Sequence, residues 1–575
     1  MSGLLVAGTT SDAGKSVVTT GLCRAFARRG VKVAPYKAQN MSNNSMVVST
    51  SSTTGVDDGA TAEIGRAQWV QARAAQVTPE PAMNPVLLKP GSDRRSHVVL
   101  MGHPAGEVSS HDWEAGRRHL ATAAHAAYDD LASRFDVIVA EGAGSPAEIN
   151  LRAGDYVNMG LARHAGLPTV VVGDIDRGGV FAAMYGTLAL LEPEDQALIS
   201  GFVINKFRGD LGLLKPGLES LESLTERPVF GVLPWEPSLW LDSEDALDLD
   251  GRRAEAGATR KVAVVRLPRI SNFTDVDALG LEPDLDVVFA SSPADVADAD
   301  LVVLPGTRST ISDLAWLRSR GLDVAIVEHV RRGRPLLGIC GGFQMLGGVI
   351  ADPDGVEGSV TEVEGLGLLD VRTDFTPIKN LRLPTGSALG VEASGYEIHH
   401  GRITRGDGVT EFLGGARAGQ VFGTMWHGSL EGDALRGAFL EATLDRAPSE
   451  VSFPAARERR LDLIGDLVEE HLDLDALLDL AQGNAGRADV VRDERRRVET
   501  NTVPSSAAAD RVGLDTPPPS GSGGSTSGGV GSTSGGGSTS GGGSTSGGGS
   551  TSGGGSTSGG GSTSGGGSTS GGIIR

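Results

Sequence analysis

Short apolar runs separated by longer amphipathic stretches dominate the first 245 positions. The runs fall at 4–7, 31–35, 137–140, 169–173, 202–205 and 229–233. Runs this short, bounded by glycine and polar turns, fit buried strands, and the stretches between them carry apolar residues at helical spacing. Alternation of strand and helix predicts α/β architecture with a parallel, doubly wound sheet. The pattern then breaks at DLDGRRAEAGATR (248–260), a polar, Gly/Ala-rich segment that reads as a linker. A second α/β unit begins at KVAVVRLP (261–268) and continues through runs at 286–290, 301–306, 335–340 and 421–426. Two amphipathic helices over 455–482 are assigned to close that second unit. The predicted organisation is therefore 1–247, a linker at 248–260, a second domain at 261–482, and a tail at 483–575.

The tail changes the picture given by composition. Much of the glycine count of 84 lies between about 520 and 572, where the unit STSGGG repeats without charge. Such a segment buries too little apolar surface to offset its ordering entropy, so a flexible coil without function is expected there. The formal net charge of −21 argues against a nucleic-acid partner, because a phosphate backbone needs a basic face. Any anionic ligand must be held by local groups. Two cysteines, Cys23 and Cys340, cannot build a disulfide framework and suit a reducing cytoplasm. The chain enters its first strand with no basic-then-apolar leader, and no apolar run is long enough for a membrane span.

Candidate chemistry starts at AGTTSDAGKSVV (7–18), between the first strand and the first helix. Phosphate-binding loops point successive backbone N–H groups at a phosphate and add the positive end of the following helix. The usual spacing is G-x-x-x-x-G-K-[ST], whereas Gly8 and Gly14 here enclose five residues. Gly8, Thr9, Asp12, Ala13, Gly14, Lys15 and Ser16 form the candidate ATP loop, with Lys15 on the outer phosphates and Ser16 in a Mg²⁺ shell. A plain glycine turn ending in Gly-Lys-Ser is the competing reading of this segment alone. Acidic residues at neighbouring strand ends supply metal partners: Glu141 in FDVIVAEGAG, and Asp174, with Asp176 nearby, in VVVGDIDRGG. Each also reads as a solvated loop carboxylate. Ligand crevices lie beyond strand C-termini in parallel sheets, which would bring loop, Glu141 and Asp174 together.

GICGGFQMLGG (338–348) places Cys340 at a strand end ringed by glycines. This is the pattern of a nucleophile elbow, with the N–H of Gly341 facing a developing oxyanion and the loop at Gly306 and Thr307 offering a second donor. A thiol of ordinary pKa, about 8.5, is mostly protonated at neutral pH and needs a helix N-terminus or a histidine. His427, in GTMWHGS after a strand run, is the candidate base; His399 and His400 in GYEIHHG are read as lining residues or satisfied loop histidines. A strand-end cysteine also reads as a small buried apolar residue, which suits Cys23 on its helix.

These motifs carry a resemblance. The cysteine elbow with a later strand-end histidine resembles a class I glutamine amidotransferase domain. GTTSDAGKS resembles the loop of the dethiobiotin synthetase-like P-loop ligases. Their fusion in this order is similar to the cobyrinic acid amidating enzymes. The strings PYKAQNMSNNS (35–45), EIGRAQ (63–68), MNPVLLKP (83–90), EGAGSPAEINL (141–151), NMGLA (158–162), GDIDRGGVF (173–181) and INKFRGD (204–210) look like the cobyric acid synthases of that group. The likeness spans about 1–482.

The resemblance implies release of ammonia from glutamine through a Cys340 thioester. It implies ATP- and Mg²⁺-dependent phosphorylation of a carboxylate, then displacement of phosphate by ammonia. The implied substrate is adenosylcobyrinic acid a,c-diamide, amidated on its b, d, e and g carboxylates. Lys37, Gln39, Asn40, Lys89, Arg177, Lys206 and Arg208 are candidate contacts for that polyanion, and each charged one equally reads as a surface charge. One departure stands out: class I triads carry Glu two residues after the histidine, where this chain has Ser429. A Cys340–His427 pair with an orienting group from elsewhere is expected, Glu431 and Glu397 being candidates. Competing readings are an a,c-diamide synthase with the same chemistry, a partitioning-type switch ATPase, and a catalytically dead scaffold. The switch ATPases carry an extra lysine early in the loop, and 8–13 contains none. Deleting 517–575 is expected to leave turnover nearly intact, and a steady-state rate comparison with the full chain checks it.

Overall fold

The computed structural model describes residues 2–50, 60–92, 95–109, 117–237 and 258–484. Most of the expected linker and nearly all of the expected tail lie outside these. Six strands make the first sheet, in the spatial order Val229–Pro234, Ile199–Phe207, Thr169–Asp174, Gly3–Gly8, Val137–Glu141, Val33–Tyr36, and every pairing is parallel. The first strand in sequence, Gly3–Gly8, lies inside the sheet with strands added on both sides of it, which is the doubly wound arrangement. The strand Gly3–Gly8 is buried along its whole length, as a central parallel strand with helices on both faces must be. It is flanked by the strands ending in Glu141 and Asp174, with Val6 beside Glu141 and Gly8 beside Val172.

The second sheet runs Leu285–Ala290, Arg260–Val265, Leu301–Leu304, Leu336–Ile339, Val421–Thr424, all parallel. Gly415–Ala418 and Thr410–Phe412 then add an antiparallel edge. Smaller mixed sheets, largely antiparallel, decorate both units. In the first, Gln39–Met41, Val86–Ser92, Arg95–Leu100 and His103–Ser109 form a four-stranded sheet. In the second, Val349–Ala351, Glu362–Glu364, Val371–Arg382 and Glu397–Arg405 form another.

The two C-terminal helices lie on the first unit, not on the second as their place in the sequence suggested. Phe453–His471 packs on the loop helix Lys15–Arg28, and the approach is close: a Cβ on Gly21 would lie 2.3 Å from Val468 Cγ2. Arg24 and Arg28 of the loop helix pair with Asp462 (2.7 Å) and Asp466 (2.6 Å). Leu474–Ala481 buries Leu474, Leu477 and Ala481 in one apolar cluster with Leu4, Val6 and Val137. Amphipathicity gives the face a helix buries, not the surface it is buried against. No described helix is long and apolar enough to cross a membrane.

Leu477 is fully buried, so Leu477→Ala is expected to destabilise the first unit by about 2–5 kcal/mol. Urea unfolding followed by a probe in that unit measures it.

Candidate active site

The loop Thr9–Gly14 is held from both sides. Thr9 N donates to Val172 O at 2.9 Å, and Asn205 Nδ2 donates to Ala13 O at 3.0 Å. Gly14 adopts φ 99°, a left-handed conformation suited to glycine, and a Cβ there would lie 1.9 Å from Asn205 Nδ2. The helix Lys15–Arg28 starts immediately afterwards without a side-chain cap, so its first N–H groups face the loop. Lys15 Nζ bridges Thr10 O (2.8 Å), Ser11 O (3.1 Å) and Gly144 O (3.1 Å). The loop thus folds around its own lysine, in a cradle of main-chain groups.

Ser16 Oγ donates to Glu141 Oε1 at 2.9 Å, so hydroxyl and carboxylate sit side by side. Glu141 also accepts from Lys37 Nζ (2.9 Å) and Gln71 Nε2 (2.5 Å). Burial pushes its carboxyl up, but the Lys37 charge, the bonds from Lys37 and Gln71 and the nearby Lys15 outweigh that and hold it below the ordinary range. Two hard oxygen donors at a phosphate loop fit Mg²⁺, which completes its shell with water and phosphate oxygens rather than with an all-protein cage. Among the described residues no group of three or more acidic, His or Cys side chains able to hold a metal occurs. Asp174, the other expected metal partner, directs its bonds elsewhere: Oδ2 accepts from Lys206 Nζ at 2.8 Å.

Cys340 has φ 48° and ψ −110°, a strained backbone for a residue with a side chain and the signature of a nucleophile elbow. The helix Gly341–Leu346 follows directly. The two segments expected to donate to an oxyanion touch: a Cβ on Gly341 would lie 3.1 Å from Thr307 N, and one on Gly306 would lie 2.9 Å from His427 Cε1. His427 Nδ1 is 2.7 Å from Asp275 Oδ2, and Gly428 N donates to Asp275 Oδ1, also at 2.7 Å. The ring stacks on Tyr396 with centroids 5.4 Å apart. With Nδ1 taken by Asp275, Nε2 is the nitrogen left for Cys340. Burial works against a charged ring, yet the Asp275 carboxylate and Cys340 raise the His427 pKa to about 10. An imidazolium beside the cysteine is the setting in which a thiolate attacks.

The orienting acid is therefore Asp275, on the short turn Phe273–Val276. Neither glutamate proposed from the sequence fills that place. Glu431 pairs with Arg66 (2.7 Å) and Arg457 (3.0 Å), and Glu397 accepts from Asn380 Nδ2 at 2.5 Å. The missed signal lay in NFTDVDAL (272–279), an acidic pair inside an otherwise apolar stretch just past a strand. His399 and His400 line the Cys340 cavity, each tied to a carbonyl, Gly401 O at 2.8 Å and Thr376 O at 3.1 Å. Cys23 is fully buried and burial pushes its thiol up, which matches the small apolar role.

The model of a family described as "CobQ/CobB/MinD/ParA nucleotide binding domain" matches residues 4–247. That of "CobB/CobQ-like glutamine amidotransferase domain" matches 261–435. A protein of Mycolicibacterium gilvum (strain PYR-GCK) named cobyric acid synthase is 77% identical over 482 residues, 84% of this chain and 97% of that relative. One of the same name from Mycobacterium tuberculosis (strain H37Rv) is 75% identical over 485 residues, again 84% and 97%. The chain belongs to the cobyric acid synthase family. It is an enzyme of α/β architecture that joins a P-loop unit to a glutamine amidotransferase domain, as the motifs implied.

The remaining candidates of this cobyric acid synthase family member divide by place. Arg177 pairs with Asp12 (2.9 Å), and Lys206 also donates to Asp12 O (3.1 Å), so both border the loop. Arg208 stands 3.5 Å from Asp176 and over Trp235 at 4.2 Å. Gln39 Oε1 accepts from Tyr156 Oη (2.6 Å) and Arg117 (3.1 Å), and Asn40 Nδ2 donates to Gln68 (3.0 Å). Lys89 lines the Cys340 cavity rather than the loop and pairs with the buried Glu63. Asp275→Asn is expected to lower glutamine-driven turnover about 10²- to 10⁴-fold, because the imidazole loses its fixed tautomer and its counter-charge. A glutaminase assay measures the loss, and NMR titration should show the His427 pKa falling.

Proposed function

We propose that the chain makes cobyric acid by amidating the b, d, e and g carboxylates of adenosylcobyrinic acid a,c-diamide, using glutamine and ATP. The observation that carries this reading is the pairing, in one chain, of a complete Cys340–His427–Asp275 group with a phosphate loop whose Ser16 adjoins Glu141. The Cys340 thiolate attacks the amide carbon of glutamine. The oxyanion that forms faces the N–H groups of Gly341 and the Gly306 loop, and His427 gives its proton to the departing nitrogen. Water, activated by the now neutral His427, then hydrolyses the thioester to glutamate.

In the other unit, Lys15 and the loop N–H groups hold the phosphates while a substrate carboxylate takes the γ-phosphoryl group. Ammonia displaces that phosphate and leaves an amide. Ser16 and Glu141 would hold Mg²⁺, with Asp174 a further candidate, and the ion would neutralise charge on the phosphate oxygens. Ammonia in bulk water at neutral pH is mostly ammonium and no nucleophile. Delivery inside one chain keeps it neutral and keeps the acyl phosphate away from water. Both cysteines are unpaired, which supports a reducing, cytoplasmic setting.

Enzyme with ATP, Mg²⁺, glutamine and adenosylcobyrinic acid a,c-diamide should give four successive carboxyl-to-amide mass changes. No mass change from folded protein would defeat the reading. Cys340→Ala should abolish glutamine use but not use of added ammonia, whereas Lys15→Ala should abolish both. Loss of both sources in a folded Cys340→Ala protein would overturn the division of labour.

A further inference from the structure

The stretch EIGRAQ (63–68) runs into the helix Arg66–Ala74, and no reaction step above uses a residue of it. At about 100° per residue, Arg66 and Trp69 fall on one face of this helix, and Gln68 and Gln71 on the opposite face. The glutamine face belongs to the phosphate-loop site. Gln71 Nε2 donates to Glu141 Oε2 at 2.5 Å, and Gln68 Oε1 accepts from Asn40 Nδ2 at 3.0 Å. The arginine face looks to the other unit. Arg66 is buried and donates to Glu431 Oε1 at 2.7 Å, on the short turn that follows His427. Trp69 packs against an apolar cluster that contains Tyr396 and Ile398. The Tyr396 ring stacks on His427, and the Ile398 carbonyl lies 3.8 Å from Cys340 Sγ.

One short helix therefore touches Glu141 on one side and the supports of the cysteine–histidine pair on the other. Its two faces are tied to buried partners, so a shift at one face is felt at the other. The glutamine face has a reason to shift. Glu141 accepts from Ser16, Lys37 and Gln71 together. Holding Mg²⁺ would take the Ser16 hydroxyl off Glu141 and draw on the carboxylate's charge, so the Gln71 bond must change with it. Gln71 Oε1 is buried and has no donor among the described residues. It is placed to accept a new bond at that moment, as from water carried by the ion.

We propose that Gln71, Arg66 and Trp69 are positioning residues that tie glutamine turnover to occupancy of the phosphate loop. Gln71 registers the state of Glu141, and Arg66 and Trp69 carry it to the supports of His427 and Cys340. The proposal rests on the reading of Cys340 and His427 as the glutaminase pair and of the loop as an ATP site. The chemistry gives the direction. Ammonia released before an acyl phosphate exists is lost as ammonium, so a filled loop raises turnover.

The test measures glutamine turnover with and without the magnesium complex of a non-hydrolysable ATP analogue, at concentrations that calorimetry shows to saturate each protein. In the parent the complex should raise turnover about 5- to 150-fold, the usual span of coupling between two sites. Arg66→Met, which leaves Glu431 paired with Arg457, and Gln71→Met should each bring that ratio below about twofold. Arg66→Lys should restore part of it. The ratio is internal to one variant, so partial misfolding cancels. A purely structural role would lower both rates together and keep the ratio, and that result would overturn the proposal, as would a ratio near one in the parent. For a variant without turnover, binding gives the reciprocal comparison. Glutamine should tighten the analogue's binding to Cys340→Ala protein, and adding Arg66→Met should remove that gain; a gain that survives would overturn the proposal. A parent that turns over no glutamine in either condition would instead overturn the reading of Cys340 and His427, and one that binds no analogue the reading of the loop.

Discussion

Glu141 ties the amino-terminal site together. Its carboxylate is buried at the end of the strand beside the loop strand, and it accepts from Ser16, Lys37 and Gln71. A lone carboxylate so placed would take up a proton rather than stay charged. Here the donors and the Lys37 charge win, so the acid stays ionised next to the phosphate loop. Removing one partner would leave a buried charge without compensation, which costs more than the pair contributes. The position of Lys37 follows from this: it is buried, and its first task is to keep Glu141 charged, not to offer a free cation at the surface.

The segment that carries Lys37 also reaches the other site. It runs on to Ser45, whose N–H donates to Asn272 Oδ1 at 2.9 Å. Asn272 has φ 50° and opens the turn that carries Asp275. From Asp275 the chain of contacts passes to His427 and so to Cys340. Alongside, Glu63 binds Lys89 from its own unit and Lys379 from the other, and those two charges outweigh burial to hold its carboxyl well below the usual range. Within residues 2–484 the two units therefore meet through buried polar pairs that demand fixed geometry. The registration of one reaction centre against the other is set by side chains a few residues from each.

What could be read from sequence were the features written locally. Every parallel strand of the two large sheets announced itself as an apolar run, because strands covered on both faces need no polar alternation. The loop and the cysteine elbow were legible because their glycines, lysine and nucleophile occupy one short stretch each. Asp275 was not, since it meets His427 across 152 positions and a buried acid carries no mark of its partner. The helices after 452 were found but set on the wrong unit for a related reason: their apolar stripe matches any sheet face. The smaller mixed sheets escaped notice because their strands are part-polar and several carry register shifts.

Pairing also separates the candidate cations that can serve a ligand from those that cannot. The loop border carries basic residues already matched with acids: Arg177 with Asp12, Lys206 with Asp174 and Arg208 with Asp176. Arg177 and Asp12 are 62% and 49% exposed at their side chains, and pairs so wetted contribute at most about 1 kcal/mol. An incoming anion can trade places with such an acid at little cost. Lys37 cannot make that exchange, because its partner Glu141 is 1% exposed and would be stranded. On a chain with a net charge of −21, that difference decides where an anionic substrate can be met. The exposed Arg177–Asp12 pair can yield in this way, while buried pairs such as Lys37 with Glu141 hold their geometry.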